Sequence, residues 1–127
     1  MKTIGITAGA FDLLHAGHCL MLKEAKSLCD YLIVGLHTDP SLERKEKNKP
    51  IQTVKERRIQ LEACRYVDMI FEYIYEHELE EIVKKLKPDI RIKGSDHIND
   101  KSDDSIKIHY HNRNHNWSSS ELRKRLR

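Results

Sequence analysis

Two histidines three residues apart, His15 and His18, lie in the stretch Gly9-Ala10-Phe11-Asp12-Leu13-Leu14-His15-Ala16-Gly17-His18. Gly9 lets the backbone approach a ligand closely, and Gly17 does the same at the start of the following helix. The amides of a first helical turn, with the helix dipole behind them, form an anion site. At that turn both rings lean toward the same anion. Two imidazole N–H donors beside backbone amides suit a phosphate whose negative charge grows as a nucleophile adds to it. Histidine pairs near helix starts also occur as surface decoration or as metal pairs. Their place in a Gly-containing loop behind the first strand pattern favours the phosphate reading.

The elements that must hold this loop follow from apolar periodicity. Residues 2–8 read as a buried strand, and 17–28 as a helix with Leu20, Leu22, Ala25 and Leu28 as its apolar positions. Residues 31–36 (YLIVGL) form the continuous apolar run of a central parallel strand. Residues 40–50 are charged and aperiodic, hence a loop. Thr53 with Glu56 three residues on is a capping box opening a helix over 54–64. A strand over 67–71 and a helix over 76–86, stopped by Pro88, come next. Strands over 90–93 and 106–110 and a helix over 118–126 complete the chain. This alternation predicts an α/β fold: one Rossmann-like, doubly wound parallel sheet of about five strands with helices on both faces. At 127 residues, a single domain over 1–127 is expected. Ligands of such sheets bind beyond the carboxyl ends of the strands, at the switch point.

The pattern G-x-F-D-x-x-H-x-G-H resembles the signature of the nucleotidyltransferase superfamily, whose HxGH motif holds a nucleotide triphosphate. The likeness continues through Lys23-Glu24-Ala25-Lys26 and Asp30-Tyr31-Leu32-Ile33-Val34 and spans nearly the whole chain. It is similar to the cytidylyltransferases, closest to the glycerol-3-phosphate cytidylyltransferase branch. The resemblance implies transfer of a cytidylyl group from CTP to a small phosphorylated alcohol or sugar, with pyrophosphate released. Gly9, Ala10, Phe11, Asp12 and Gly17 would then belong to the nucleotide site, and His15 and His18 would donate to phosphate oxygens. Mg²⁺ is the expected cation, carried mainly by the nucleotide.

Further along, Lys45 and Lys47 alternate in a charged loop, so in an extended segment both ammonium groups point one way. By resemblance Lys47 reaches the nucleotide phosphates and Lys45 the acceptor. Arg57 and Arg65 are eight apart, just over two helical turns, and would share a face. The family likeness of this stretch implies a role at the phosphate site and the dimer contact, and both arginines are expected to bind the acceptor. Gly94 permits a close turn, and Asp96 offers an acceptor for a nucleotide hydroxyl or cation. Arg113 is able to grip a phosphate in two places, and Ser118, Ser119 and Ser120 supply hydroxyls at a helix start. In the resembled family the arginine holds the leaving pyrophosphate and the hydroxyls bind nucleotide phosphate. The likeness departs at Asn114, Asn116 and Trp117. It also departs over 76–81, which lack the lysine that glycerol-phosphate-using relatives carry.

His109, His111 and His115 cluster a second time, and on a strand His109 and His111 face the same way. No partner carboxylate is spaced to complete a metal site with them, so no metal-ligand set is assigned. The three cysteines, Cys19, Cys29 and Cys64, are odd in number and lack a CxxC, which fits a reduced compartment. The net charge of +3 is too slight to indicate nucleic acid, and no apolar run approaches the ~20 residues of a membrane span. The start of the chain enters a strand pattern with no signal-peptide layout, giving a cytoplasmic expectation. A homodimer is expected by family analogy. Two alternatives stand beside the cytidylyl reading: an adenylyltransferase of the same fold using ATP and a phosphorylated cofactor precursor, and a non-catalytic nucleotide- or metal-binding domain.

Overall fold

A computed structural model describes residues 2–94, 106–111 and 117–126 of the chain, and the side chain of Ser119 is not among the described groups. The elements in order are β1 (Ile4–Gly9), α1 (Ala16–Ser27), β2 (Tyr31–His37), a 3-10 turn (Pro40–Leu42), α2 (Val54–Glu62), β3 (Met69–Tyr73), α3 (Glu76–Leu86), β4 (Ile90–Gly94), β5 (Lys107–His111) and α4 (Ser119–Arg125). The five strands form one sheet in the order β3-β2-β1-β4-β5, and every neighbouring pair is parallel. From β1 the chain steps outward to β2 and β3, then crosses back to place β4 on the other side of β1. The crevice between the carboxyl ends of β1 and β4 is therefore the switch point at which such sheets bind ligands.

Strand β2 shows why the sheet is covered on both faces. Leu32, Val34 and Leu36 enter one core cluster with Leu22 and Ala25 of α1 and Leu61 of α2. Ile33 points the other way and packs with Ile6, Tyr73 and, from α3, Leu79 and Val83. At Gly35 a Cβ would lie 2.7 Å from the Phe71 ring, so any side chain there would collide with it. Two aspartates align the strand starts: Asp30 accepts the Thr3 amide at 2.8 Å, and Asp89 accepts the Ile4 amide at 2.7 Å.

Element boundaries differ from the sequence expectation by one or two residues, for local reasons. The Thr53–Glu56 capping box forms as expected, with bonds of 3.1 and 2.9 Å. Helix α2 stops at Glu62 rather than at 64, because the Cys64 amide turns back to the Leu61 carbonyl in a tightened last turn. Strand β3 starts at Met69 rather than at 67. Asp68 uses its side chain instead, accepting the Leu32 amide at 2.8 Å while pairing with Lys26. Helix α3 ends where Lys87 adopts the left-handed conformation (φ 48°), just before Pro88.

Candidate active site

The loop after β1 carries two left-handed residues, and neither is a glycine. Phe11 (φ 51°) and Leu13 (φ 52°) hold that conformation, whereas no described glycine has a positive φ. Side chains pay for such a backbone with strain of about 1–2 kcal/mol each, and here packing and side-chain bonds hold it. The Phe11 ring is buried in the core cluster of α1 and α2. The Leu13 amide donates to the Gln52 side-chain oxygen at 2.8 Å. Asp12, between them, accepts the Ile51 and Gln52 amides at 2.8 and 2.9 Å and an Arg123 guanidinium N–H at 2.9 Å. Its carboxylate thus ties this loop to the segment before α2 and to α4. The carboxylate of Asp12, expected at the nucleotide, is in the structure a buried structural junction.

The loop delivers His15 to the N-cap of α1 and His18 to its third residue. The His15 Nδ1 accepts the Gly17 amide at 3.0 Å, and the His18 Nδ1 accepts the His15 amide at 3.2 Å. This is a capping box built from imidazoles, in the positions ordinarily held by Ser or Thr and by Glu or Gln. A backbone N–H only donates, so each Nδ1 is an acceptor and each neutral ring carries its proton on Nε2. The rings stack with centroids 3.9 Å apart and planes 26° apart, and Phe11 flanks His18 at 5.3 Å. Two Nε2–H donors are thereby set side by side at the start of α1. Electrostatic stabilisation requires donors held in advance where charge will develop.

A cavity of about 110 Å³ adjoins this turn, lined by His15 and Ala16 from α1 and by Trp117, Ser118, Glu121, Leu122 and Arg125 at and before α4. Ser118 caps α4, its Oγ accepting the Glu121 amide at 3.0 Å. Ser118 is therefore brought to His15 although 103 residues separate them in the chain. Ser120, one turn position further on, is exposed.

Arg57 does not serve where the sequence placed it. It is 2% exposed, and its Nε donates to Gln52 O at 3.1 Å. Its Nη1 donates to Ala10 O and His37 O at 3.0 and 2.7 Å, and its Nη2 to Thr38 O at 2.6 Å. Four backbone carbonyls from the ends of β1 and β2 and from the α2 approach converge on one guanidinium. Burial lowers its pKa, and Asp12 and Asp39 partly offset that. Arg57, expected to bind the acceptor, is in the structure a buried strut that holds the site loops in register. Arg65 is likewise not on the same face. It lies past the end of α2, exposed, over the Tyr66 ring at 5.0 Å and bonded to the Tyr66 hydroxyl at 2.9 Å.

Lys45 and Lys47 stand exposed in the loop after the 3-10 turn. Asp96, Arg113 and His115 lie outside the described residues, and so does the side chain of Ser119. Gly9 and Ala10 close β1 and its loop, the Ala10 carbonyl being one of the four held by Arg57. Gly17 is buried in the first turn of α1, its amide bonded to His15.

The second histidine cluster has the partner the sequence did not offer. Glu24 of α1 accepts from His109 Nε2 at 2.9 Å and from His111 Nδ1 at 3.0 Å. Burial pushes the Glu24 carboxyl up, but the two histidine bonds outweigh it and hold the group below its ordinary value. More than eighty residues separate these partners, and only the β1-β4-β5 order brings them together.

A family profile described as Cytidylyltransferase-like matches residues 6–125. The chain is 40% identical over 101 residues to the bifunctional protein HldE of Paramagnetospirillum magneticum, an alignment covering 79% of this chain and 20% of that protein. It is 41% identical over 97 residues to HldE of Helicobacter hepaticus, covering 76% and 20%. It spans about a fifth of the length of these curated relatives. Among solved structures, the lipopolysaccharide core biosynthesis protein of Thermoplasma volcanium superposes with a TM-score of 0.69 at 28% identity, covering 85% of this chain and 94% of that one. Profile, relatives and superposition agree with the histidine-capped loop at the switch point: the chain belongs to the cytidylyltransferase-like family of nucleotidyltransferases.

Proposed function

We propose that the chain transfers a nucleotidyl group from a nucleoside triphosphate, CTP in the first reading, to a phosphorylated sugar, releasing pyrophosphate. The acceptor's phosphate oxygen attacks the α-phosphorus in line, and the bond to the pyrophosphate oxygen breaks. No covalent intermediate on the protein is needed, so the protein's contribution is placement and charge stabilisation. The observation that carries this reading is the imidazole capping box, which fixes the tautomer of His15 and His18 and sets both rings at an anion-binding helix start. Gly9, Ala10, Phe11 and Gly17 shape the nucleotide loop, and Ser118, Ser119 and Ser120 bind phosphate. Lys47 and Arg113 neutralise the triphosphate and the leaving pyrophosphate. Lys45 and Arg65 face the acceptor, and Asp96 takes a nucleotide hydroxyl. Mg²⁺ enters on the nucleotide's own oxygens, in keeping with the full engagement of both Asp12 oxygens by protein donors. The protein acts as a homodimer in the cytoplasm.

A sugar acceptor is favoured over glycerol phosphate by two observations. Residues 76–81 have no lysine. The superposable Thermoplasma protein is a lipopolysaccharide core biosynthesis protein. One observation favours a second reading in which ATP replaces CTP: Trp117, a broad indole, forms part of the cavity wall beside His15, and a purine offers it the larger stacking face.

The test is to incubate the protein with Mg²⁺ and CTP or ATP, offer phosphorylated alcohols and sugars in turn, and follow pyrophosphate. Release with CTP and a sugar phosphate supports the first reading. Release with ATP alone transfers it to the second, and thermal shifts with each nucleotide should rank the same way. No release with any pair, despite nucleotide binding, would leave a binding domain and remove the catalytic proposal.

A further inference from the structure

On the α3 face of the sheet, three side chains converge at the carboxyl ends of β2 and β3. His37 closes β2, Glu43 follows the 3-10 turn and Glu76 opens α3. One ligand atom from each lies within 4.8 Å of the other two.

His37 is only 5% exposed and stacks on the buried Tyr73 ring at 4.5 Å. Its Nε2 lies 3.0 Å from the Ile74 carbonyl, an acceptor only, so the proton of the neutral ring is on Nε2. The Nδ1 lone pair is then left facing the Glu76 carboxylate, 3.9 Å away. A lone pair turned on a carboxylate repels it unless a proton or a cation lies between them. Fixing an imidazole by a backbone carbonyl at one nitrogen while the other is presented to a metal is the arrangement common to ligating histidines.

Both carboxylates lie within reach of the His37 ring. Glu43 accepts the Glu76 amide at 2.9 Å through one oxygen, leaving the other to bind. The Glu76 side chain is 39% exposed, so it can swing the remaining ångström or so that metal–ligand distances of about 2.0–2.2 Å demand. The Glu24 cluster behaves in the opposite way. There both histidines are bonded to a single carboxylate oxygen, which a cation could take only by displacing them.

We propose that His37, Glu43 and Glu76 form a divalent transition-metal site, with Zn²⁺ as the fitting ion. One imidazole nitrogen and two carboxylate oxygens suit Zn²⁺, with the remaining position open to water. The cluster shares no residue with the His15–His18 turn, and its test does not depend on nucleotidyl transfer.

The full chain, stripped with a chelator, is titrated with Zn²⁺ against a chromophoric competitor. One ion per chain is expected. Glu76→Gln and Glu43→Gln should each weaken binding by at least the roughly tenfold to hundredfold that even outer-shell partners are worth. Glutamine at 43 still offers an oxygen to the Glu76 amide, so circular dichroism should be unchanged. Glu24→Gln should bind as the parent does. Co²⁺ in place of Zn²⁺ should give ligand-field bands without a thiolate charge-transfer band, which excludes the cysteines as ligands. Absence of stoichiometric binding, as a protonated His37 paired with Glu76 would produce, overturns the proposal. So does binding that survives Glu43→Gln with Glu76→Gln, or a thiolate band.

Discussion

His18 does two things with one ring, and they can be separated. Its Nδ1 caps α1 and its Nε2–H is the proposed phosphate donor. Glutamine is a regular residue at the third position of a capping box. His18→Gln should therefore stay within about 0.5 kcal/mol of the parent stability, whereas His18→Ala should lose about 1 kcal/mol with the cap. Turnover should fall in both by on the order of a hundredfold or more. Urea melts and pyrophosphate release on the two variants check this, and a His18→Gln enzyme with parental turnover would remove the ring from catalysis.

At the scale of elements, the buried guanidinium of Arg57 joins β1, β2 and the approach to α2. Methionine fills much of its volume but leaves four backbone carbonyls without their donor. Arg57→Met should cost about 3 kcal/mol or more, since bonds to a charged group contribute roughly 1.5–3 kcal/mol each and stranded buried acceptors add to the loss. The measurement is denaturant unfolding at neutral pH. A variant that unfolds like the parent, with only the KM for the acceptor raised, would restore Arg57 to acceptor binding.

At the scale of the molecule, Glu24 links α1 to β5 across the sheet order. Its folded-state pKa lies below the ordinary 4.5, because the His109 and His111 bonds outweigh the opposing effect of burial. A depressed carboxyl contributes stability that is complete above the unfolded value and fades as pH falls through the folded value. Glu24→Gln should then melt below the parent at neutral pH, with the gap closing as pH drops below 4.5. Thermal melts across that range test it, and a gap that widens in acid would contradict the assignment. Asp12 with Arg123 makes a comparable tie between the first loop and α4, so the site is closed by residues from both ends of the chain.

Local chemistry alone determined a good deal here. The continuous apolar run of β2, the Thr53–Glu56 box and Pro88 behind α3 specify elements because each acts over a few residues. The Gly9–His18 stretch marked the candidate site loop because spacing and helix-start chemistry are also local. Tertiary structure decided what spacing cannot express. It turned Arg57 inward, since helical periodicity marks a face but not whether carbonyls wait behind it. It set the tautomers of His15 and His18 by the backbone amides that meet them. It also supplied Glu24 to one histidine cluster and two carboxylates to His37, because the order of strands in a sheet, rather than distance along the chain, determines which charges become neighbours.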